Sequence, residues 1–290
     1  MRLLGVDFTS APTKRKPIVA AWGTPAGSVV RLDTLQPCTG FPAFEAVLHT
    51  PGPWVAGFDF PFGLPRELVE HLGWPTQWPA LIAHYAALER DAIRDTFAAF
   101  CDARPAGGKF AHRATDGPAG SSPSMKWVNP PVAFMLHAGA PRLIDAGLEL
   151  PGLHAGDAQR VGLEAYPGLL AREFLGTRSY KNDERAKQTP ERLIARKDLV
   201  DALEQGRSRL GLRLKLSHAQ REALVDDASG DLLDAVLCLL QAGWAAQQGA
   251  PRYGLPEAVD PLEGWIVAAP IEAKPVKAPA RKTAATAPAR

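Results

Sequence analysis

The sequence predicts an α/β protein: a mixed sheet flanked by helices, with a helical insertion. Three observations carry that class. Near the start, two short turns separate three strand-like runs, which gives an antiparallel meander. A helix-like segment then leads to a fourth strand, and a strand–helix–strand connection in one sheet is a right-handed crossover to a parallel neighbour. Close to the end, residues 231–247 form a strongly apolar helix able to cover such a sheet.

The elements follow in order. Residues 3–8 (LLGVDF) are a short apolar run ending at an acid. The stretch 9–17, with two prolines and Lys14-Arg15-Lys16, is a turn. Residues 18–22 and 29–35 are the second and third strands, separated by Gly23-Thr24-Pro25-Ala26-Gly27. Residues 41–49 fit a short helix, with apolar side chains at 41, 44, 47 and 48. Residues 54–60 (WVAGFDF) are the fourth strand, stopped by Pro61, Gly63 and Pro65. If it lies beside the first, Asp7 and Asp59 stand at adjacent strand ends. Each shares a face with a glycine two residues earlier, Gly5 and Gly57, by the period of two.

Residues 66–160 do not read as sheet and form the expected insertion. Residues 80–101 are a helix, with Leu81, Tyr85, Leu88 and Ala92 at helical spacing. Residues 104–131 are loop, carrying Lys109, His112, Arg113 and Lys126. A second helical piece spans about 132–147. Residues 161–166 are a fifth strand, with Glu164 near its end and Pro167 after it. A charged helix covers about 190–206, and Ser217 with Gln220 makes a capping box. In the helix 231–247, Asp231 and Asp234 share a face. The expected organisation is one domain over residues 1–265 and a disordered basic Ala/Pro/Lys tail over 266–290.

Composition narrows the function classes. The formal charge is +2, but residues 273–290 hold five Lys/Arg and no acid. Without these five, 28 basic residues face 31 acidic ones, so the body carries about −3 and is not a generally basic nucleic-acid binder. Any anion site must be local. The longest apolar stretch, 232–246, is interrupted by Asp234 and falls short of the ~20 residues of a membrane span. Met1 leads straight into the first strand without a cleavage site, so no secretory signal is expected. Cys38, Cys101 and Cys238 are widely spaced and include no CxxC, which excludes a zinc finger and argues against a disulfide framework. A cytoplasmic location is the expectation.

The candidate site is the set Asp7, Asp59, Glu164, Asp231 and Asp234. Each acid stands at a strand end or helix start within an apolar stretch. Acids are costly to bury unpaired, so converging carboxylates need cations, and hard oxygen ligands suit Mg²⁺ or Mn²⁺. Two such ions ~4 Å apart can hydrolyse a phosphodiester. Each acid also has a plain structural reading. Asp7 could cap the turn at Thr9 and Ser10, and Asp59 could form an Asx-turn. Glu164 could pair with an arginine, and Asp231 sits where a helix dipole favours acids. Lys109, Arg113, Lys126 and Lys181 are candidate substrate-binding cations, for phosphate contact or as a solvated surface. Trp74, Trp78 and Trp127 could stack bases or pack the insertion.

Five motifs in this order resemble a known family: Gly5-Val6-Asp7-Phe8-Thr9-Ser10; Gly57-Phe58-Asp59-Phe60-Pro61-Phe62-Gly63-Leu64-Pro65; Leu163-Glu164-Ala165-Tyr166-Pro167; Ser179-Tyr180-Lys181; and Asp231-Leu232-Leu233-Asp234-Ala235-Val236-Leu237-Cys238. Over residues 1–250 the chain is similar to the family labelled domain of unknown function 429, described as a predicted nuclease of the ribonuclease H-like fold. The resemblance implies a metal-dependent hydrolase of DNA or RNA, with metal ligation by Asp7, Asp59 and Asp231 or Asp234 and with Glu164 as an additional or substitute ligand. Two other classes compete. One is a non-catalytic binding or scaffold protein on the same fold. The other is a phosphotransferase on the actin-like fold, which needs a glycine-rich phosphate loop. Here Asp7 is followed by Phe8-Thr9-Ser10-Ala11-Pro12, with no glycine.

Overall fold

The computed structural model describes residues 1–271. Three apolar strands, β1 (Arg2–Asp7), β2 (Ile18–Ala26) and β3 (Val29–Cys38), pair antiparallel in sequence order. Helix α1 (Phe41–Leu48) carries Pro42 in its first turn, where the missing N–H costs no hydrogen bond. It buries Phe44, Val47 and Leu48 and returns the chain to β4 (Trp54–Phe58), parallel to β1.

The insertion contributes α2 (Arg66–His71), α3 (Trp78–Ala86), α4 (Arg90–Asp102), α5 (Asp116–Ala119) and α6 (Val132–Asp145). The single helix expected over 80–101 is two. Contacts with α6 decide this break. The carbonyl of Leu88 accepts a hydrogen bond from His137 at 2.9 Å, and Tyr85 donates to the carbonyl of Ala133 at 3.1 Å. Tertiary bonds thus interrupt an apolar periodicity that continues unbroken through the sequence. The expected absence of sheet from 66–160 also needs correction. The short β5 (Leu148–Glu149) and the start of β6 (Asp157–Glu164) fall inside that range and pair parallel at the sheet edge.

After β6 come α7 (Pro167–Leu175), a 3-10 turn at Arg185–Lys187, α8 (Pro190–Glu204), the short β7 (Arg213–Lys215), α9 (His218–Asp226) and α10 (Asp231–Gln248). The capping box at α9 forms in full, with Ser217 and Gln220 each satisfying the other's backbone N–H. The seven strands lie in the order β5-β6-β4-β1-β2-β3-β7. The protein is therefore a mixed α/β sheet flanked by helices.

The two faces of the sheet carry separate cores. Leu4, Val6, Phe8, Ala56 and Phe58 pack against α1 and the insertion helices. Leu3, Val19, Val55 and Leu163 pack against α7, α8, α9 and α10. Among the described residues no helix is long and apolar enough to cross a membrane. The disorder expected from residue 266 does not extend to the described residues at its start. Ile266 and Val267 are buried, and the Val267 N–H donates to the Glu164 carbonyl at 2.8 Å. That apolar pair gives the segment something to bury. The expectations for 273–290 lie outside the described residues.

Candidate functional site

The site begins with strand register. Gly5 faces Gly57 and Val6 faces Phe58 across the parallel β1–β4 pair. Asp7 and Asp59 are therefore the next residues along, and the Asp59 N–H donates to the Val6 carbonyl at 2.9 Å. Their side chains alternate to the same face as the two glycines. That face is covered by α10. A Cβ on Gly57 would sit 2.7 Å from the Cys238 carbonyl oxygen, and one on Gly5 would overlap the Ala235 carbonyl and the Leu239 nitrogen. Only hydrogen at these positions lets the α10 backbone come this close. The close approach carries Asp234, one residue before Ala235, up to the strand ends. One carboxylate oxygen each from Asp7, Asp59 and Asp234 lies within 4.8 Å of the others.

These three acids are held differently. Asp234 is fully buried and takes a hydrogen bond from the Tyr180 hydroxyl and an ion pair from the Lys181 ammonium. Asp7 is 7% exposed and Asp59 is partly exposed, and among the described residues neither carboxylate accepts a hydrogen bond. Burial, then the charges of Asp234 and Asp231, pushes the Asp7 carboxyl well above its usual range. Burial, then the charge of Asp234, lifts Asp59 to about 7. Burial opposes the charge on Lys181, but Asp234, Tyr180, Asp7 and Asp59 outweigh it and hold that ammonium well above its ordinary pKa.

Lys181 is placed by its backbone neighbours. The Tyr180 carbonyl accepts from the buried Arg196 guanidinium at 2.8 Å, and the Asn182 N–H donates to the Ala228 carbonyl at 3.0 Å. Gly230, at φ +78°, presents no side chain; a Cβ there would stand 2.7 Å from the Lys181 Cβ. The Tyr180-Lys181 pair is thus seated on the turn that starts α10.

Asp231 and Glu164 are not in the three-acid group. Asp231 is buried at the start of α10 and paired with Lys16 at 2.7 Å, a lysine that also reaches Asp183 at 2.8 Å. Burial raises the Asp231 carboxyl, and the Lys16 hydrogen bond works against that rise. Glu164 pairs in register with Phe58, one residue short of Asp59, so the pleat turns it to the opposite face. There the buried Arg113 grips it through two hydrogen bonds, each 2.7 Å, and the Phe62 N–H adds a third at 2.9 Å.

Arg113 is likewise not a free phosphate contact. It is 3% exposed and bonds Asp116 as well as Glu164. A loop arginine became a buried tether because two acids meet it there. Lys126 donates to the Asn129 carbonyl at 2.6 Å, and exposed Lys109 pairs with Asp102 at 3.5 Å. Lys126 is thus occupied within its own loop and Lys109 by the end of α4, and neither is among the residues lining the cavity beside the acids. Trp78 donates to the Phe62 carbonyl at 2.6 Å, Trp74 lies against Tyr85 and Phe97, and Trp127 against Phe110. All three pack the insertion.

Sequence reasoning missed three features. Lys16 sat in a turn and carried no visible partner. Glu263 accepts the N–H groups of Arg66 and Ala114, at 2.8 and 2.9 Å, and so ties the insertion to the C-terminal segment. A cavity of about 340 Å³ opens beside the acids, lined by Asp59, Asp234 and Lys181 together with Ser122, Met135 and Ile266. No local signal announced it, because its walls come from stretches scattered from residue 59 to residue 266.

The donor set fits a hard divalent cation. Every available donor of the three acids is a carboxylate oxygen, as Mg²⁺ and Mn²⁺ prefer. Three carboxylates against one ammonium leave a formal −2. Among the described residues, two of the acids lack a protein donor. Asp7, Asp59 and Asp234 are the residues that would hold the ion.

No curated protein and no solved structure matches the chain. The sequence does match a family over nearly all of the described residues, with the matched region enclosing all three acids and Lys181. That span, residues 5–258, places the chain in the family described as Protein of unknown function (DUF429).

Proposed function

We propose that the protein is a metal-dependent phosphodiester hydrolase acting on nucleic acid, on a ribonuclease H-like fold. The observation that carries this reading is the convergence of Asp7, Asp59 and Asp234 at a sheet end beside an open cavity, with two of the three carboxylates lacking a donor among the described residues. The fold reading is supported by the strand run β3-β2-β1-β4-β6, three antiparallel strands continued by two parallel ones.

A bound Mg²⁺ or Mn²⁺ would polarise the phosphoryl group and make water a better nucleophile near neutral pH. The chain's own residues do the rest. Asp7 and Asp59 supply negative charge fixed by the paired strands. Tyr180 and Lys181 hold Asp234 in one orientation. The cavity beside the acids has room for a phosphate and its substituents. Net reaction adds water across one P–O bond, giving a phosphate monoester and an alcohol.

The test is cleavage of end-labelled DNA and RNA oligonucleotides with Mn²⁺, with Mg²⁺ and with EDTA, for wild type and Asp7→Asn. Cleavage by wild type with either metal, lost in EDTA and reduced at least ~100-fold in Asp7→Asn, is expected. Undiminished cleavage in EDTA or by Asp7→Asn would overturn the reading.

A further inference from the structure

We propose that Lys181 takes the place of a second cation, so that the centre holds one divalent ion rather than two. The proposal rests on the metal-centre reading above and concerns what this chain's own ammonium does to it.

Several features point the same way. Lys181 forms its ion pair with Asp234, the acid buried deepest of the three. It lines the same cavity as Asp59 and Asp234. Its position is built in rather than adopted by a free surface chain: Tyr180 and Asn182 on either side are anchored by backbone hydrogen bonds, and Gly230 leaves room for its stem. Among the described residues, the oxygens without a protein donor belong to the buried Asp7 and to Asp59.

Charge arithmetic then limits the ion count. Three carboxylates and one ammonium sum to −2, which one divalent ion neutralises. A second would leave +2 beside a fixed lysine, and like charges this close in a partly desolvated site repel strongly. Without the ammonium the three acids carry −3, and a second ion becomes tolerable. Lys181 is thus a positioning residue: it orients Asp234 and supplies a permanent positive charge at the cavity wall, facing a phosphate there.

Mn²⁺ titration followed by calorimetry and by electron paramagnetic resonance tests this on the full chain, with no substrate present. Wild type is expected to bind one equivalent with a mononuclear six-line spectrum. Lys181→Met should bind two, with the exchange-coupled signal of a manganese pair, and Lys181→Arg should return to one. Two equivalents in wild type would overturn the lysine proposal while leaving the metal centre standing. None in wild type would overturn both. A Lys181→Met protein that still takes a single equivalent would also overturn it. Should Lys181→Met fail to fold, Lys181→Gln, which also lacks the charge, takes its place: two equivalents are expected, and a single equivalent would overturn the proposal.

Discussion

Asp59 and Glu164 stand at the ends of neighbouring strands, the first partly exposed and the second buried. One faces Asp7 and Asp234; the other is clasped by Arg113. A single step in register separates them, because Phe58 rather than Asp59 lies opposite Glu164. The strand-end position of both acids was legible in the sequence. The parity that sends them to opposite faces was not, since it depends on which residues pair across β4 and β6. The alternative in which Glu164 pairs with an arginine describes what the structure shows of it. Glu164→Gln should accordingly leave Mn²⁺ affinity within a few-fold of wild type. It should lower stability to urea by about 3–5 kcal/mol, the usual cost of breaking a buried ion pair from one side. Loss of Mn²⁺ binding without loss of stability would return Glu164 to the ligand set.

At the scale of elements, the contact between α10 and the β1–β4 pair decides whether a site exists. Gly5→Ala adds one methyl where the Ala235 carbonyl and the Leu239 nitrogen already lie. Both are backbone, so neither can swing aside, and the helix must shift. We expect a stability loss of about 2–4 kcal/mol, above the ordinary range of overpacking, together with weaker Mn²⁺ binding as Asp234 moves away from Asp7. Gly23→Ala is the comparison: its Cβ would meet the Arg31 carbonyl oxygen at 2.8 Å and the Leu239 side chain at 3.0 Å. It should also destabilise, while leaving Mn²⁺ affinity nearly unchanged, because none of the three acids lies beside it. Equal effects on metal binding from both variants would argue against this positioning role. Much of this layer could be read in advance. The meander, the crossover and the acid-bearing helix follow from period and turn chemistry, and the Gly-x-Asp spacing was visible in both strands. The division of the helix at Ala87–Glu89 and the short strands β5 and β7 were not, because partners far along the chain determine them.

For the whole molecule, the acids set a pH dependence. Asp59 has a folded pKa of about 7, against about 3.9 in an unfolded chain. Between those values the folded protein holds a proton that the unfolded chain has lost. Folding is therefore penalised above pH 7, and the penalty fades as pH falls towards 4, by at most about 1.4 kcal/mol per pH unit for one proton. Asp7 acts in the same direction. Metal-free Asp59→Asn should exceed wild type in melting temperature at pH 8, and the gap should narrow by pH 5 and close near pH 4. A gap that widens on acidification would contradict the assignment. Proton and cation compete for the same oxygens, so Mn²⁺ affinity should fall over the same window. The three acids also come from positions 7, 59 and 234, near opposite ends of the matched region. Opening of either end disperses them, so a cation that binds all three recognises only the fully folded chain. By mass action, an ion at a hundred times its dissociation constant would add about 2.7 kcal/mol to global stability. It would act as a clasp on the fold, and resistance to proteolysis with and without Mn²⁺ would report how much of the molecule closes around it.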